Sequence, residues 1–315
     1  MGVVLPLLVR ETGLSQRDVL RIVINAPVRY RTYSIPKRNG GERVISQPAR
    51  ELKALQRIVS EHILAHRPVH PCATAYRTGL SIKANAAAHA QNGPIFKLDF
   101  EDFFPSITDR DWRAYCEKYS LFSDQEDITV TTNILFRKSG GSTRLRLAIG
   151  APSSPLLSNV IMYDFDTKIA DLVSQEQVTY TRYADDLTFS ARRTGFLARV
   201  RESLEQAIRE TSFPSLTINE SKTILATRKY KRMVTGLILT NDGRVSIGYR
   251  RKRQIRAALH HYSQGRLDTA SQAHLAGMLA FINDVEPEFL GRLTHKYGES
   301  VLARLRSVRL SSRFS

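Results

Sequence analysis

Residues 181–190 read TRYADDLTFS, with the adjacent carboxylates Asp185 and Asp186 in the middle of a β-prone, apolar run. No other feature restricts the fold as much. Neighbouring carboxylates repel each other, and burying either one alone carries a large desolvation cost. In a straight strand successive side chains point to opposite faces, which would split the pair. At the tip of a tight hairpin both can approach one point. Thr179, Thr181 and Tyr183 alternate on one flank, and Leu187, Phe189 and Ala191 on the other, as two strands joined at the pair would require. Carboxylates gathered in this way need cations. Hard oxygen donors suit Mg²⁺, which keeps waters and shares its coordination with substrate phosphates.

A third carboxylate is available in KLDFEDFF, residues 97–104. The spacing predicts a strand over 94–107 that breaks at Pro105, with Asp99 projecting from it. Glu101 would share that face by alternation and Asp102 would take the other. Three carboxylates suffice for two ions about 3.5–4 Å apart. An exposed turn explains Asp-Asp alone, and a solvated strand end explains the acidic rim alone. In a 315-residue chain of net charge +17, the two together read as a two-metal phosphoryl-transfer site.

Lys and Arg recur along the whole length, and an excess of that size builds a field that attracts polyanions, nucleic acid first. The two cysteines, Cys72 and Cys116, exclude a disulfide framework and a Cys-rich zinc site. The opening MGVVLPLLVRETG lacks a basic n-region and is interrupted by Pro6, so it makes a poor signal peptide. No apolar run reaches membrane-spanning length. The expectation is a soluble cytoplasmic protein with no membrane partner.

Periodicity predicts a helix over 13–26 with Ser15 as N-cap, a basic hairpin turning at Asn39-Gly40-Gly41, and a helix over 51–66. Residues 109–137 read as mostly helical, followed by a hairpin around Gly140-Gly141. A Ser/Pro turn then leads into a helix, and another helix covers 196–210. A hairpin over 234–249 turns at Asp242-Gly243. From about 250 the pattern is helical and basic, with thirteen Lys/Arg against five Asp/Glu over residues 244–315. The class is α+β.

YADD at 183–186, LDFEDFF at 98–104 and GAPSSPLLSN at 150–159 resemble, in order and spacing, the palm motifs of reverse transcriptases. NAAAH at 85–89 and VTG at 234–236 resemble the two signature motifs of the retron branch. The resemblance implies a right-hand polymerase: an N-terminal segment and fingers over 1–95, a palm over 96–248 with a fingers segment at about 109–150, and a helical thumb over 249–315. It implies that Asp99, Asp185 and Asp186 bind two Mg²⁺, for which Mn²⁺ can substitute, with Phe100 contributing its carbonyl. Phe104 matches the aromatic gate that collides with a ribose 2′-OH. Arg43, with Lys37 or Arg38, would hold the dNTP triphosphate, and Lys222 would lie near the pyrophosphate. Gly150, Ser153, Ser154 and Pro155 would approach the template and primer, and Arg250, Arg251, Lys252, Arg253 and Arg256 would contact phosphates. Asn85, His89, Val234, Thr235 and Gly236 would serve RNA recognition. Read without the resemblance, NAAAH is a helix segment capped by Asn85, and Gly236 is a bulge.

The same resemblance implies RNA-templated DNA synthesis, in which a primer hydroxyl attacks the α-phosphate of a dNTP. The first primer would be an internal guanosine 2′-OH of a structured non-coding RNA, giving a branched RNA–DNA product (msDNA). A host RNase H would remove template, and an effector protein would act with the enzyme in phage defence. The chain departs from the wider family at Ile149, where Gln is usual and whose amide bonds Ile cannot make. Another bacterial reverse transcriptase of the group II intron type, a metal-dependent nuclease and a non-catalytic RNA-binding scaffold are the alternatives.

Overall fold

The computed structural model describes residues 2–37, 40–141 and 143–308; Arg38 and Asn39 fall outside them. The chain begins with α1 (Val4–Thr12), α2 (Gln16–Asn25), β1 (Tyr30–Pro36), β2 (Glu42–Pro48) and α3 (Arg50–His62). Then come α4 (Ile82–Ala90), β3 (Ile95–Asp99), α5 (Phe103–Ser106), α6 (Asp109–Lys118) and α7 (Gln125–Leu135). A small hairpin of β4 (Arg137–Lys138) and β5 (Leu145–Arg146) precedes α8 (Ser154–Ile161) and α9 (Tyr163–Ser174). Next are β6 (Thr179–Tyr183), β7 (Asp186–Ser190), α10 (Val200–Glu210), β8 (Ile224–Ala226), β9 (Met233–Val234), β10 (Leu237–Leu239) and β11 (Val245–Ser246). Four helices end the described chain: α11 (Tyr249–Ser263), α12 (Thr269–Val285), α13 (Pro287–Tyr297) and α14 (Glu299–Arg306).

Two compact units result. One holds the residues up to Thr78, Phe96–Phe189 and Gly195–Ile224; the other holds Gly79–Ile95, Ser190–Thr194 and the chain from Leu225. The helical tail thus shares a unit with α4 and β9–β11, a different partition from cuts at 95/96 and 248/249.

In the first unit β6, β7 and β3 lie side by side in that order. The expected N-cap is present: the Ser15 hydroxyl accepts from Asp18 N at 3.2 Å and opens α2. The basic hairpin is a regular antiparallel pair, from Tyr30 opposite Pro48 to Pro36 opposite Glu42. The strand expected over 94–107 ends at Asp99 instead. Backbone bonds from Glu101 N to Thr217 O (2.9 Å) and from Asn219 N to Asp99 O (2.7 Å) draw the chain aside. Asp102 then takes a φ of +41°, and Pro105 sits within the short helix α5. Asp99 is buried whereas Glu101 and Asp102 are exposed, so Glu101 does not share the face of Asp99.

In the second unit α4 packs on β9, β10 and β11, and Leu237, Leu239, Ile255, Leu259, Leu275 and Leu279 belong to one apolar core. Ser81, not Asn85, caps α4: its hydroxyl accepts from Ala84 N at 3.3 Å, which puts Asn85 inside the helix. Thr235 and Gly236 join β9 to β10 with φ of +47° and +79° across the Val234–Leu237 pair. Positive φ at both central residues marks the primed turn that suits strand twist. Gly236 is therefore a turn residue and not a bulge. Buried Arg232 donates to the carbonyls of Gly93 (2.7 Å) and Thr240 (2.8 Å), which fastens the chain after α4 to the end of β10.

Asp127 of α7 is buried, and its carboxylate accepts from Val3 N (2.8 Å) and Val4 N (2.9 Å). It satisfies two backbone donors that would otherwise be orphaned at the start of α1. Asp127→Ala should lower stability by about 2–4 kcal/mol, since bonds to a charged acceptor are worth about 1.5–3 kcal/mol each before relaxation. Urea unfolding of the two proteins measures the difference.

Candidate active site

The paired aspartates occupy a hairpin tip. Ala184 and Asp185 connect β6 to β7, and Ala184 adopts a φ of +58°. Such a backbone is uncommon for a non-glycine residue and persists where its surroundings fix it. Arg182 supplies one such restraint, Nη1 donating to Ala184 O at 3.1 Å. Phe100 N supplies another, donating to Asp185 O at 3.3 Å, which joins the tip to the end of β3 where Asp99 stands.

The three carboxylates lie within one electrostatic neighbourhood. The Asp185 carboxyl is pushed up to about 6 by burial, then by the charge of Asp99 and to a smaller degree that of Asp186; Lys222 opposes the shift. Asp186 is also raised, mainly by burial, with Lys97 acting against it and Asp99 reinforcing it. Lys222 Nζ meets Asp99 Oδ1 at 2.7 Å. Burial depresses the Lys222 ammonium, but its bond to Asp99 and the three aspartate charges outweigh that and raise it. Among the described residues no group of three or more His, Cys, Asp or Glu side chains is arranged as it stands to hold a metal ion. The donor set nevertheless fits a divalent cation. It consists of hard oxygens whose mutual repulsion an ion would relieve, with an ammonium now holding one of them.

A cavity of about 380 Å³ is linked to these groups through Tyr76, whose phenol feels the charge of Asp185. Phe104 and Tyr76 form one wall, their ring centroids 6.4 Å apart. Ile149 to Pro152 form another, and Lys53 and Arg57 of α3 border it. Phe103 turns into the core while Phe104 stays half-buried at the cavity. Arg43 and Lys37 are exposed on the β1–β2 hairpin; Arg38, the alternative to Lys37, lies outside the described residues.

The loop at 149–155 is held from within. Ser46 N donates to Ile149 O at 2.7 Å. Gly150 has a φ of +111°, and a Cβ there would come within 2.9 Å of Ile45 Cγ2 and 3.2 Å of Ser46 O. Close approach of β2 is thus one reason for this glycine. Ser153 and Ser154 are buried, and neither hydroxyl has a hydrogen-bond partner among the described residues. Ser154 also lines the cavity. Pro155 lies in the first turn of α8, where its missing N–H costs nothing.

The second unit places the other candidates. Asn85, His89 and Val234 are buried. His89 Nδ1 pairs with Ser190 Oγ at 2.6 Å, and burial lowers the imidazole to about 4. Thr235 Oγ1 donates to Ile82 O at 2.9 Å, and Arg251 Nη1 to Gly236 O at 3.0 Å. VTG is thus tied to α4, the helix that carries NAAAH, and Ala86 and Val234 share one apolar core. On α11, Arg250, Arg251, Arg253 and Arg256 are exposed, and Arg256 stacks over Phe289 at 5.1 Å. Lys252 differs from the expected phosphate contact: it is turned inward and ion-paired with Glu286.

Sequence reasoning missed Tyr76, Lys97, Lys53, Arg57 and the buried pair Arg182–Asp166. For Arg182 a signal existed, an arginine at an inward-facing position just before YADD; for Tyr76 and α3 there was none.

Two outcomes follow. Metal-free Asp185→Asn should melt a few degrees above wild type, because removing one of three clustered charges relieves about 1 kcal/mol of repulsion. Saturating Mg²⁺ should raise the melting temperature of wild type but not of this variant. For His89 the folded state holds the neutral ring down to about pH 4, whereas the unfolded ring protonates near 6.5. The unfolded state then binds more protons between these values, so stability falls as pH drops from 6.5 to 4, by up to about 3 kcal/mol. His89→Gln should flatten that part of the stability–pH curve in urea titrations.

Residues 35–262 match the family model "Reverse transcriptase (RNA-dependent DNA polymerase)". The chain is 35% identical over 282 residues to the retron Ec83 reverse transcriptase of Escherichia coli, covering 88% of this chain and 89% of that one. It is 32% identical over 307 residues to the retron Ec86 reverse transcriptase of the same species, covering 95% and 92%. Among solved structures, telomerase from Candida albicans superposes with a TM-score of 0.50 at 11% identity, over 90% of this chain and 55% of that one, a likeness of fold alone. The chain belongs to the reverse transcriptase family and, within it, to the retron reverse transcriptases, which makes it an RNA-directed DNA polymerase.

Proposed function

We propose that this polymerase copies a structured non-coding RNA into DNA, starting from an internal guanosine 2′-OH of that RNA to give branched RNA–DNA (msDNA). The observation that carries the catalytic reading is the mutual electrostatic influence of Asp99, Asp185 and Asp186, together with a cavity lined by Phe104 and by Tyr76, which feels the charge of Asp185. Near-complete coverage of two proteins named as retron reverse transcriptases supports the retron part.

Each group then has a task. Asp99, Asp185 and Asp186 would hold two Mg²⁺ (or Mn²⁺), with the Phe100 carbonyl at the same place. Bound there, the ions supply activation of the attacking hydroxyl and charge stabilisation at the phosphates. Lys222 neutralises Asp99 in the resting protein and is placed to donate to a triphosphate oxygen. Arg43 and Lys37, exposed on a hairpin, add positive charge for the same triphosphate. Phe104 excludes a 2′-OH by contact, which selects dNTPs. Arg250, Arg251, Arg253 and Arg256 hold backbone phosphates, a sequence-independent and salt-sensitive contact. The α4–VTG packing shapes the surface that meets the cognate RNA, since the buried Asn85 and His89 can act only through it. We assign the fingers, palm and thumb to residues 1–95, 96–248 and 249–315. We further place the protein in the cytoplasm, in an anti-phage system with an effector protein and host RNase H as partners. Among the described residues no helix is long and apolar enough to cross a membrane.

The test is DNA synthesis by protein co-expressed with the RNA encoded beside its gene. Wild type should make DNA that stays joined to RNA until a debranching enzyme is added, and Asp185→Asn should lose at least about 10³-fold in rate. Linear DNA alone would refute retron priming while keeping the polymerase. RNA binding with no synthesis would favour the scaffold reading. Phe104→Val should admit ribonucleotides at least tenfold more readily, read from single-nucleotide incorporation. Arg250→Ala and Arg253→Ala should each lower the salt slope of RNA–DNA binding by about 1.

A further inference from the structure

Two residues of the site carry left-handed backbone without being glycine: Ala184 at the catalytic turn, with φ of +58°, and Tyr76 at the cavity wall, with φ of +61°. Such conformations persist where the surroundings over-determine them. Here one buried polar network reaches both. Arg182 is fully buried. Its Nε and Nη2 donate to the carboxylate of Asp166, at 2.9 and 2.5 Å, and Nη1 donates to Ala184 O and to Asn159 Oδ1, each at 3.1 Å. Asn159 is fully buried too, and its Nδ2 donates to Ala75 O at 2.9 Å. Arg182 thus holds the carbonyl of Ala184 itself, Asn159 holds that of Ala75 just before Tyr76, and the two side chains are bonded to each other.

The backbone repeats the connection. Arg182 N donates to Cys72 O and Thr74 N to Arg182 O, both at 2.8 Å, so the segment 72–76 lies along the end of β6. A buried charge pair is a costly way to add stability, because desolvation offsets most of the attraction. What it supplies is direction. A planar guanidinium with fixed donors can serve a carboxylate, an amide and a carbonyl at once.

We propose that Asn159 and Arg182, anchored by Asp166, are positioning residues that couple the geometry of the metal-binding turn to that of the nucleotide pocket. The proposal rests on the polymerase reading of the site. Arg182 sets the turn that carries Asp185 and Asp186. Asn159 carries the restraint across to Ala75 and so sets Tyr76, which with Phe104 fixes the width available to the incoming sugar. Tyr76 is then a second determinant of nucleotide selection.

The two halves can be separated by substitution. Asn159→Asp keeps an oxygen for Arg182 but loses the donor to Ala75 O. It should raise KM for dNTPs and admit ribonucleotides at least fivefold more readily, with a smaller change in kcat. Arg182→Lys keeps the charge beside Asp166 but loses the fork. It should lower kcat at least tenfold and shift the half-saturating Mg²⁺ concentration upward. Tyr76→Ala should reproduce the selectivity change of Asn159→Asp with Mg²⁺ dependence unchanged. Leu204→Ala on α10, a fully buried position that contributes nothing to the cavity, is the control for lost stability. Melting temperatures are recorded for all four. The proposal is overturned if Asn159→Asp and Arg182→Lys keep wild-type selectivity and Mg²⁺ dependence, or if Leu204→Ala shifts both as they do. Wild type that makes no DNA on any template would instead overturn the polymerase reading.

Discussion

Mutual repulsion among three carboxylates is the constraint around which the first unit is arranged. Asp99 is buried and Asp185 and Asp186 are half-buried, where like charges interact more strongly than in solvent. Left to itself, such a cluster would push the end of β3 away from the β6–β7 tip. The fold opposes this with short-range bonds of known direction. Phe100 N holds Asp185 O, Lys222 pairs with Asp99, and Arg182 grips the turn from beneath. Asp166, Tyr180 and Asn159 complete the support below the turn. The electrostatic cost kept in the resting protein is what a pair of divalent cations would remove, so affinity for metal and tension in the metal-free site have one origin.

The second unit solves a different problem, that of holding a strongly basic segment on a small apolar core. Several of its cations are placed over aromatic rings or buried against carbonyls. Arg251 lies over Phe281, Lys252 and Arg256 lie over Phe289, and Arg232 is surrounded by main-chain oxygens. Burial lowers the Arg232 guanidinium and the charge of Arg228 adds to that, as expected for a cation with no carboxylate of its own. Glu286 anchors the start of α11 by accepting from Ser246 Oγ (2.9 Å), Ile247 N (3.2 Å) and Lys252. Lys252 and Arg232 are turned inward, whereas Arg250, Arg251, Arg253 and Arg256 remain exposed as a charged surface.

Much of this was legible in the amino-acid order. YADD read as a hairpin tip because a period of two on both flanks leaves no other place for the pair, and Asp99 read as a strand end because apolar residues lead up to it. Ser15 and the Gly-containing turns were readable because caps and turns depend on neighbours a few residues away. Two of the errors come from partners distant in the chain, and the one at Asn85 is local. The strand after Asp99 was extended too far because its end is set by pairing with 217–219, more than a hundred residues on. Asn85 looked like a helix cap because Ser81, four residues earlier, was not weighed. Lys252 looked like one cation among five, but Glu286 selects it.

The sequence by itself determined the chemistry of this protein. Three aspartates and a chain-wide positive charge point to metal-assisted phosphate chemistry on nucleic acid, because residue type and local spacing decide which groups can bind metal and phosphate; the polymerase reading comes from the resemblance of five motifs to reverse transcriptases. Only the tertiary structure decided which of those groups face the site and what holds them there. It turned Asn85 and His89 into the interior, gave Gly150 the close approach of β2 as a second reason to lack a side chain, and placed Tyr76 opposite Phe104. It also joined Asn159 to Arg182 beneath the catalytic turn. These are contacts between residues far apart in the chain, fixed by burial and by the direction of hydrogen bonds, and no local pattern encodes them.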